Sequence, residues 1–327
     1  MSTVIKIGIA SGLIWWLIRR GSLNFGLLAD LSKHPAYLFS AVAASFINIC
    51  LNNYRWVILL RGQGFPLGMK RTLPLTLIGL FFNYAMPGGV GGDLMKGFYL
   101  MQDYPARRTA AATSVLMDRL IGVAGMVLTS LLAVALNIHT VLARPELVTL
   151  AIGVGGLFVG FVVFFALAFS RRLYRHPLVE AALGRIPGGQ LIRRVYEAVH
   201  SYQQAMNSFW RACAVTVISQ SFALTFFIVI GRAMGFGDVP LVTYVFAVPL
   251  GLIATAIPIS PAGVGVGQVA FSYLFDWSLG VKSAIGSNLI TAHQIVTFLL
   301  SLSGAFFYFT KNGRAGRRPT ADHRPQL

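Results

Sequence analysis

Asn83-Tyr84-Ala85-Met86-Pro87-Gly88-Gly89-Val90-Gly91-Gly92-Asp93-Leu94-Met95-Lys96 is the stretch on which the reading of this chain turns. It begins as the end of an apolar run, breaks at Pro87 and places four glycines within the next five residues. An acid and a base follow, Asp93 and Lys96, before Phe98-Tyr99-Leu100 restores the apolar character. In water this would be an ordinary loop. Inside a bilayer its backbone groups find no water to bond to, so such a break persists only where protein wraps it or where it lines a cavity.

Composition places the chain in the bilayer. Apolar residues make up 56% of the 327 and charged residues 11%, against about 25% charged in a soluble domain. Several nearly charge-free runs approach the roughly 20 residues that cross the hydrocarbon core as a helix. They are too long and too continuously apolar for barrel strands. The expected fold class is all-α: a polytopic integral membrane helical bundle of about six to eight spans, with two Pro/Gly-broken helical hairpins. One transmembrane domain is expected over 1–310, followed by a basic, disordered tail over 311–327. The net charge of +17 reflects only 10 acids against 27 bases. Because those bases sit between apolar segments, they point to membrane topology and not to nucleic acid. Cys50 and Cys213 lie inside apolar runs. They have neither disulfide nor metal-site spacing and read as packing residues.

Along the chain, residues 4–18 are expected to form a first span. Arg19-Arg20, where a signal peptide would need small residues, argues against cleavage. Residues 36–53 are a second span, with Asn48, Asn52 and Asn53 as a polar stripe facing the bundle. Residues 54–71 read as a basic connection. The apolar runs at 72–86 and 94–101 are too short to cross comfortably, so they read as a hairpin that enters and turns back, with two short crossings as the competing picture. Spans follow at 109–136 and 147–169, the latter with Gly156 and Gly160 at the spacing of close helix approach. Residues 170–211 carry seven arginines among apolar residues at helical spacing, which describes an amphipathic segment in the headgroup plane. Spans at 212–234 and 240–257 lead to a second break, Pro258-Ile259-Ser260-Pro261-Ala262-Gly263-Val264-Gly265-Val266-Gly267-Gln268. Apolar runs at 269–279 and 283–309 close the chain.

With residues 170–211 and the tail placed in the cytoplasm, alternation puts both termini inside. The inside segments then hold 19 bases and the outside segments six, with Lys96 and Arg119 at membrane depth. This bias follows the positive-inside rule, although Arg19-Arg20 falls outside. The first hairpin then enters from the cytoplasm and the second, over 240–280, from the opposite side. At an offset of 174, Pro87, Gly89, Val90, Gly91, Tyr99 and Leu100 meet Pro261, Gly263, Val264, Gly265, Tyr273 and Leu274, six identities in 14 positions. Two broken elements of opposite orientation are the sequence sign of an inverted-repeat transporter with its site near the midplane.

A glycine break that ends one half-helix presents the N–H groups of the next, and the helix dipole adds positive potential there. The amides near Gly91, Gly92 and Asp93, with Lys96 one turn on, therefore suit a phosphate headgroup. Asp93 could instead hold Lys96 at i, i+3 or cap the helix, with Lys96 snorkelling to the headgroups. Asp118 and Arg119 are adjacent, so they point to different faces, where they pair with other helices or serve a site. His293 and Gln294 face the interior, and His293 is a candidate proton relay. Gly263-Val264-Gly265-Val266-Gly267 lacks dinucleotide-fingerprint spacing. No nucleotide motif, nucleophilic constellation or metal-ligand cluster appears, so the chain reads as a non-enzyme with no cofactor, and any transport by it would be passive or ion-driven.

The pattern Asn83…Pro87-Gly88…Gly91-Gly92-Asp93, then Asp118-Arg119, then Pro258…Ser260-Pro261…Gly263-Val264-Gly265 resembles the lysylphosphatidylglycerol synthase transmembrane region, a flippase-like membrane domain. The resemblance covers roughly residues 5–310. It implies a polytopic helical domain that moves lipids between leaflets of the bacterial inner membrane. In fused relatives a soluble C-terminal domain performs aminoacyl transfer. This chain stops at Leu327, so that activity is not expected of it. The reading of the residues and the resemblance together make the candidate substrate-binding set Asn83, Pro87, Gly88, Gly91, Gly92, Asp93, Lys96, Asp118, Arg119, Pro261, Gly263, Gly265, Gln268 and His293. Relatives usually read Gly-Val-Arg-Glu where this chain has Gly265-Val266-Gly267-Gln268, so two charges are missing at the second break. Membrane lipids are the expected partners. The rival reading is a non-catalytic membrane partner that recruits a lipid-modifying or lipid-synthesis enzyme through 170–211. An intramembrane enzyme using Asp93 or His293 as acid or base is a further rival.

Overall fold

The computed structural model describes residues 33–86, 91–170, 199–256 and 260–315, together with Trp15 and Glu197. The expected first span at 4–18, most of the amphipathic segment, the tail beyond 315, Pro87 and Gly88 lie outside the described residues. The described residues are helical and contain no strand.

Helix α1 (Pro35–Gly62) starts on a proline, whose missing N–H is not needed at that position. The first hairpin is α2 (Met69–Ala85) and α3 (Gly91–Asp103). Helix α4 (Arg108–Leu136) returns across the bundle, and a short α5 (Ile138–Leu142) leads into α6 (Pro145–Ala168). Helix α7 (Met206–Ala233) precedes the second hairpin, α8 (Leu241–Thr255) and α9 (Val266–Leu279). Helix α10 (Ile285–Ala315) ends the described chain. Among the described residues five helical stretches are long and apolar enough to cross a membrane: Pro35–Gly62, Pro105–Leu136, Pro145–Ala168, Ser201–Ala233 and Ile285–Thr310. The molecule is a polytopic helical membrane bundle.

The hairpin arms are shorter. They run 17, 13, 15 and 14 residues, which at helical rise is roughly 20–25 Å, against about 30 Å of hydrocarbon. Within each hairpin the arms pack antiparallel. Gly79 of α2 meets Gly92 and Lys96 of α3, and Gly251 of α8 meets Phe271 of α9. A Cβ on Gly92 would lie 2.2 Å from the Gly79 carbonyl oxygen, so only glycine lets the first hairpin close this tightly. Each pair of arms is thus a short antiparallel hairpin. Each first arm carries a proline inside it, Pro74 and Pro249, which a membrane helix tolerates where neighbours satisfy the freed carbonyl.

Helix packing divides the bundle into two equivalent units. The most extensive contact is α1 on α7. Around it, α3 packs on α4 as α9 packs on α10, and each first arm crosses to the other unit, α2 onto α10 and α8 onto α4. A shift of 171 residues carries α1 onto α7, both 28 residues long. A shift of 175 carries the start of α3 onto the start of α9. This is one more than the offset of the sequence identities. Helices α1 and α7 run antiparallel: Gly62 faces Ser208, Arg55 bonds Thr216, and Asn48 Nδ2 donates to the Ser219 carbonyl at 2.7 Å. Asn48 and Ser219 are equivalent positions that touch, so a pseudo-two-fold axis passes between them. Because that axis relates antiparallel spanning helices, it lies in the membrane plane, and the two units are inverted.

Two expectations change. Residues 54–62 are not a connection but the last turns of α1, which buries Arg55 at membrane depth. Arg55 thus leaves the cytoplasmic tally, which falls from 19 to 18. Gly156 and Gly160 meet no neighbour within 4 Å. Helix α6 presents them to an open apolar groove with Leu120 and Phe164, so the small residues are not used for close helix approach within the described chain. Cys50 and Cys213 are free.

Candidate functional site

The first break positions a polar centre because α3 restarts packed against both α2 and α4. Asn83, near the end of α2, accepts a hydrogen bond from the Gly92 N–H at 2.8 Å. That amide was expected to face a ligand, and it is already satisfied. Asp93 in the first turn of α3 does not hold Lys96. It pairs with Arg119 of α4, Nη1 to Oδ2, at 2.8 Å. The other arm of Arg119 reaches the Ala256 carbonyl at the end of α8, at 3.3 Å. One guanidinium therefore joins the two inverted units where their breaks meet. Tyr84 makes the converse link, donating from α2 to the Gln294 carbonyl of α10 at 3.0 Å.

Behind this pair sits a buried one. Arg55 Nε donates to Asp118 Oδ1 at 2.7 Å, and the two side chains are 7% and 9% exposed. Lys96 Nζ approaches the other Asp118 oxygen at 4.0 Å and lies 5.2 Å from the centre of the Trp56 ring, a cation–π distance. Asp118 and Arg119, adjacent on α4, thus serve separate partners as their spacing requires. Arg55, Lys96 and Arg119 against Asp93 and Asp118 leave one net positive charge. Uncompensated charge at membrane depth is costly, and an anion would relieve it. The Asp93–Arg119 pair is the accessible part, with side chains about 30% exposed.

The second break is neutral. Its backbone takes left-handed φ at Ala262, Gly263 (+70°) and Gly265 (+84°). At Gly263 a Cβ would also strike Thr255, so the turn needs glycine. Gln268 is buried and closes the turn. Its Oε1 accepts from the Gly265 N–H at 2.7 Å, and its Nε2 reaches Gln294 Oε1 at 2.6 Å and Thr291 at 3.2 Å. Gln294 in turn donates to the Ala262 carbonyl at 3.3 Å.

The equivalences turn these into matched sets. Asp93–Arg119 corresponds to Gln268–Gln294. Arg55–Asp118 corresponds to Phe226–His293, whose ring centres lie 5.1 Å apart. Trp56–Lys96 corresponds to Phe227–Phe271, stacked at 5.3 Å. Three contacts of the first cluster recur in the second, with ions replaced by amides and rings.

A family model described as the lysylphosphatidylglycerol synthase TM region matches residues 3–304. The chain belongs to this family. A relative, a UPF0104 membrane protein of Methanothermobacter thermautotrophicus, is 24% identical over 285 residues, covering 81% of this chain and 82% of its own length. No solved structure matches the chain.

Of the residues expected to form a site in this member of the lysylphosphatidylglycerol synthase TM family, Asn83, Gly91, Gly92, Asp93, Lys96, Asp118 and Arg119 converge at the first break. Gly263, Gly265 and Gln268 build the second, and Pro261 begins its 3-10 turn. His293 is separate from the ions. It stacks on Phe227 and meets Phe226 edge-on. Sequence reasoning missed Arg55 and Trp56. The signal was present: Asn48, Asn52 and Arg55 fall at i, i+4 and i+7, so the polar stripe continues through Arg55 on one helical face.

Proposed function

We propose that this protein moves an anionic or phosphate-bearing lipid between leaflets, holding the headgroup at the Asp93–Arg119–Lys96 cluster while the acyl chains stay in lipid. The observation that carries the reading is the net positive charge of a partly accessible cluster at the junction of two inverted, broken hairpins. A phosphate displaces the Asp93 carboxylate from Arg119, and fork geometry favours that exchange. Arg119 also bonds Ala256 of the other unit, so the exchange loosens a link between the halves. That loosening is the trigger for alternate opening of the inverted repeats. The chain acts on its lipid by binding and does no bond chemistry. It sits in the bacterial plasma membrane with both termini cytoplasmic.

The test is a scrambling assay in liposomes with fluorescent phosphatidylglycerol. The wild type is expected to accelerate exchange between leaflets. Lys96→Ala and Arg119→Ala are expected to slow it by about tenfold or more, the worth of one charge-assisted hydrogen bond. Equal rates for all three would sink the site. No movement of any anionic lipid would sink the function.

A further inference from the structure

The longest contact in the bundle does not close completely. Near the end of α1 and the start of α7 the helices leave a cleft of about 490 Å³ lined by Tyr54, Ile58, Arg61, Arg211, Ala214 and Val215. Arg61 is exposed in the last turn of α1. Its Nε donates to the Leu67 carbonyl at 3.1 Å, which fixes one edge of the guanidinium, and its terminal nitrogens have no acceptor among the described residues. Arg211 is exposed in the second turn of α7 and has no hydrogen bond or ion pair to a described residue. Two guanidinium groups with free donors across one cleft match a phosphate.

The surroundings favour a lipid phosphate. Ile58 and Val215 make one wall of the cleft apolar, and α7 continues from it toward the pseudo-two-fold axis with exposed Val217 and Ile218. Tyr54 and Trp210 are also exposed at this level, as aromatic residues are at a membrane interface. The shape is a polar head with an apolar flank open to the bilayer. Pseudo-symmetry adds a contrast. The shift of 171 places Arg232 where Arg61 stands and Ser40 where Arg211 stands, so the opposite end of the α1–α7 pair has one guanidinium in place of two.

We propose that this cleft is a second lipid site, which holds the phosphate of an anionic phospholipid at one membrane face as a bound, untransported lipid. It is distinct from the central cluster and independent of the translocation reading. The full chain is reconstituted in nanodiscs of equal phosphatidylcholine and phosphatidylglycerol, released into mild detergent, and the lipid retained per protein is read by native mass spectrometry. The wild type should keep phosphatidylglycerol. With the central cluster silenced in every sample by Lys96→Ala/Arg119→Ala, the double variant Arg61→Gln/Arg211→Gln and the plugging variant Ala214→Trp should each retain about tenfold less, the worth of one lost charge-assisted bond. Arg232→Gln should retain as much as the wild type. Inorganic phosphate should displace no more lipid than chloride at matched ionic strength.

Retention by the double variant equal to the wild type overturns the proposal. Loss in the double variant with full retention by Ala214→Trp would mean diffuse surface attraction and no cleft site, and equal loss in Arg232→Gln would mean the same. Displacement by phosphate alone would make the ligand a free anion. Gel filtration checks the fold of each variant. Ala214→Trp keeps both arginines, so a folding defect in the charge variant does not remove the test.

Discussion

In the first unit Arg55 donates to Asp118, Lys96 sits over Trp56, and Asp93 grips Arg119. In the second unit the equivalent positions hold Phe226 against His293, Phe271 against Phe227, and Gln268 against Gln294. The helix crossings are the same and the chemistry is different. Aromatic stacking and a neutral amide pair fill the equivalent cluster of the second unit, so these crossings do not require ions to form. Buried ion pairs are in general a weak source of stability, because desolvation offsets their attraction. The charges of the first unit therefore need another reason. A headgroup site is the one that the partial exposure of Asp93 and Arg119 supports.

Asp118→Ala should break the comparison most severely. It leaves Arg55 and Lys96 buried without their carboxylate and should destabilise by about 3–5 kcal/mol, read as thermal unfolding in mild detergent. A loss below about 1 kcal/mol would mean that water reaches the cluster and that it is not buried as described. Gln268→Leu should cost less, about 1–2 kcal/mol, because the Gly265 N–H and one side of Gln294 lose their partners while the packing volume is kept. His293→Phe, at the counterpart of Asp118, should cost under about 1.5 kcal/mol, as expected where a ring replaces a ring. Should it match Asp118→Ala, the second cluster would be a polar site and the contrast would fail.

The smallest expected change in stability belongs to the most informative variant. Grafting the second cluster into the first, as Arg55→Phe, Trp56→Phe, Lys96→Phe and Asp118→His, should leave stability within about 1–2 kcal/mol, since replacing a whole buried ion cluster with packed groups is often near neutral. Lipid exchange in liposomes should disappear. A grafted protein that folds and still exchanges lipid would remove the charges from the mechanism.

Much of this was legible in the residue order. The long apolar runs gave the described spanning helices to within a few residues, except that α1 runs nine residues further, and proline and glycine marked both interruptions, between Ala85 and Gly91 and through the left-handed turn at Ala262, Gly263 and Gly265. The asparagine stripe of α1 does face the bundle, with Asn48 and Asn52 both bonded to Ser219. What misled was the local reading of charge. Arg55 looked like the start of a basic connection because arginine is rare in a span, yet the helix continues for two further turns around it. Asp93 and Lys96 stand three apart on one helix and invited a local pair. Asp93 instead points to Arg119 and Lys96 to Asp118, because α4 lies alongside α3 and offers both partners.

The sequence by itself determined that the chain spans a membrane, where its backbone breaks, and that the two breaks are related, because hydropathy and glycine placement are properties of single segments. Only the tertiary structure decided which charge meets which and that a neutral cluster stands opposite the charged one at equivalent positions. Those facts depend on contacts between helices far apart in the chain, whose register no local pattern specifies. The Pro-Gly stretch at 83–96 marks the site, and α1 and α4 supply the arginines and the aspartate that give it its charge.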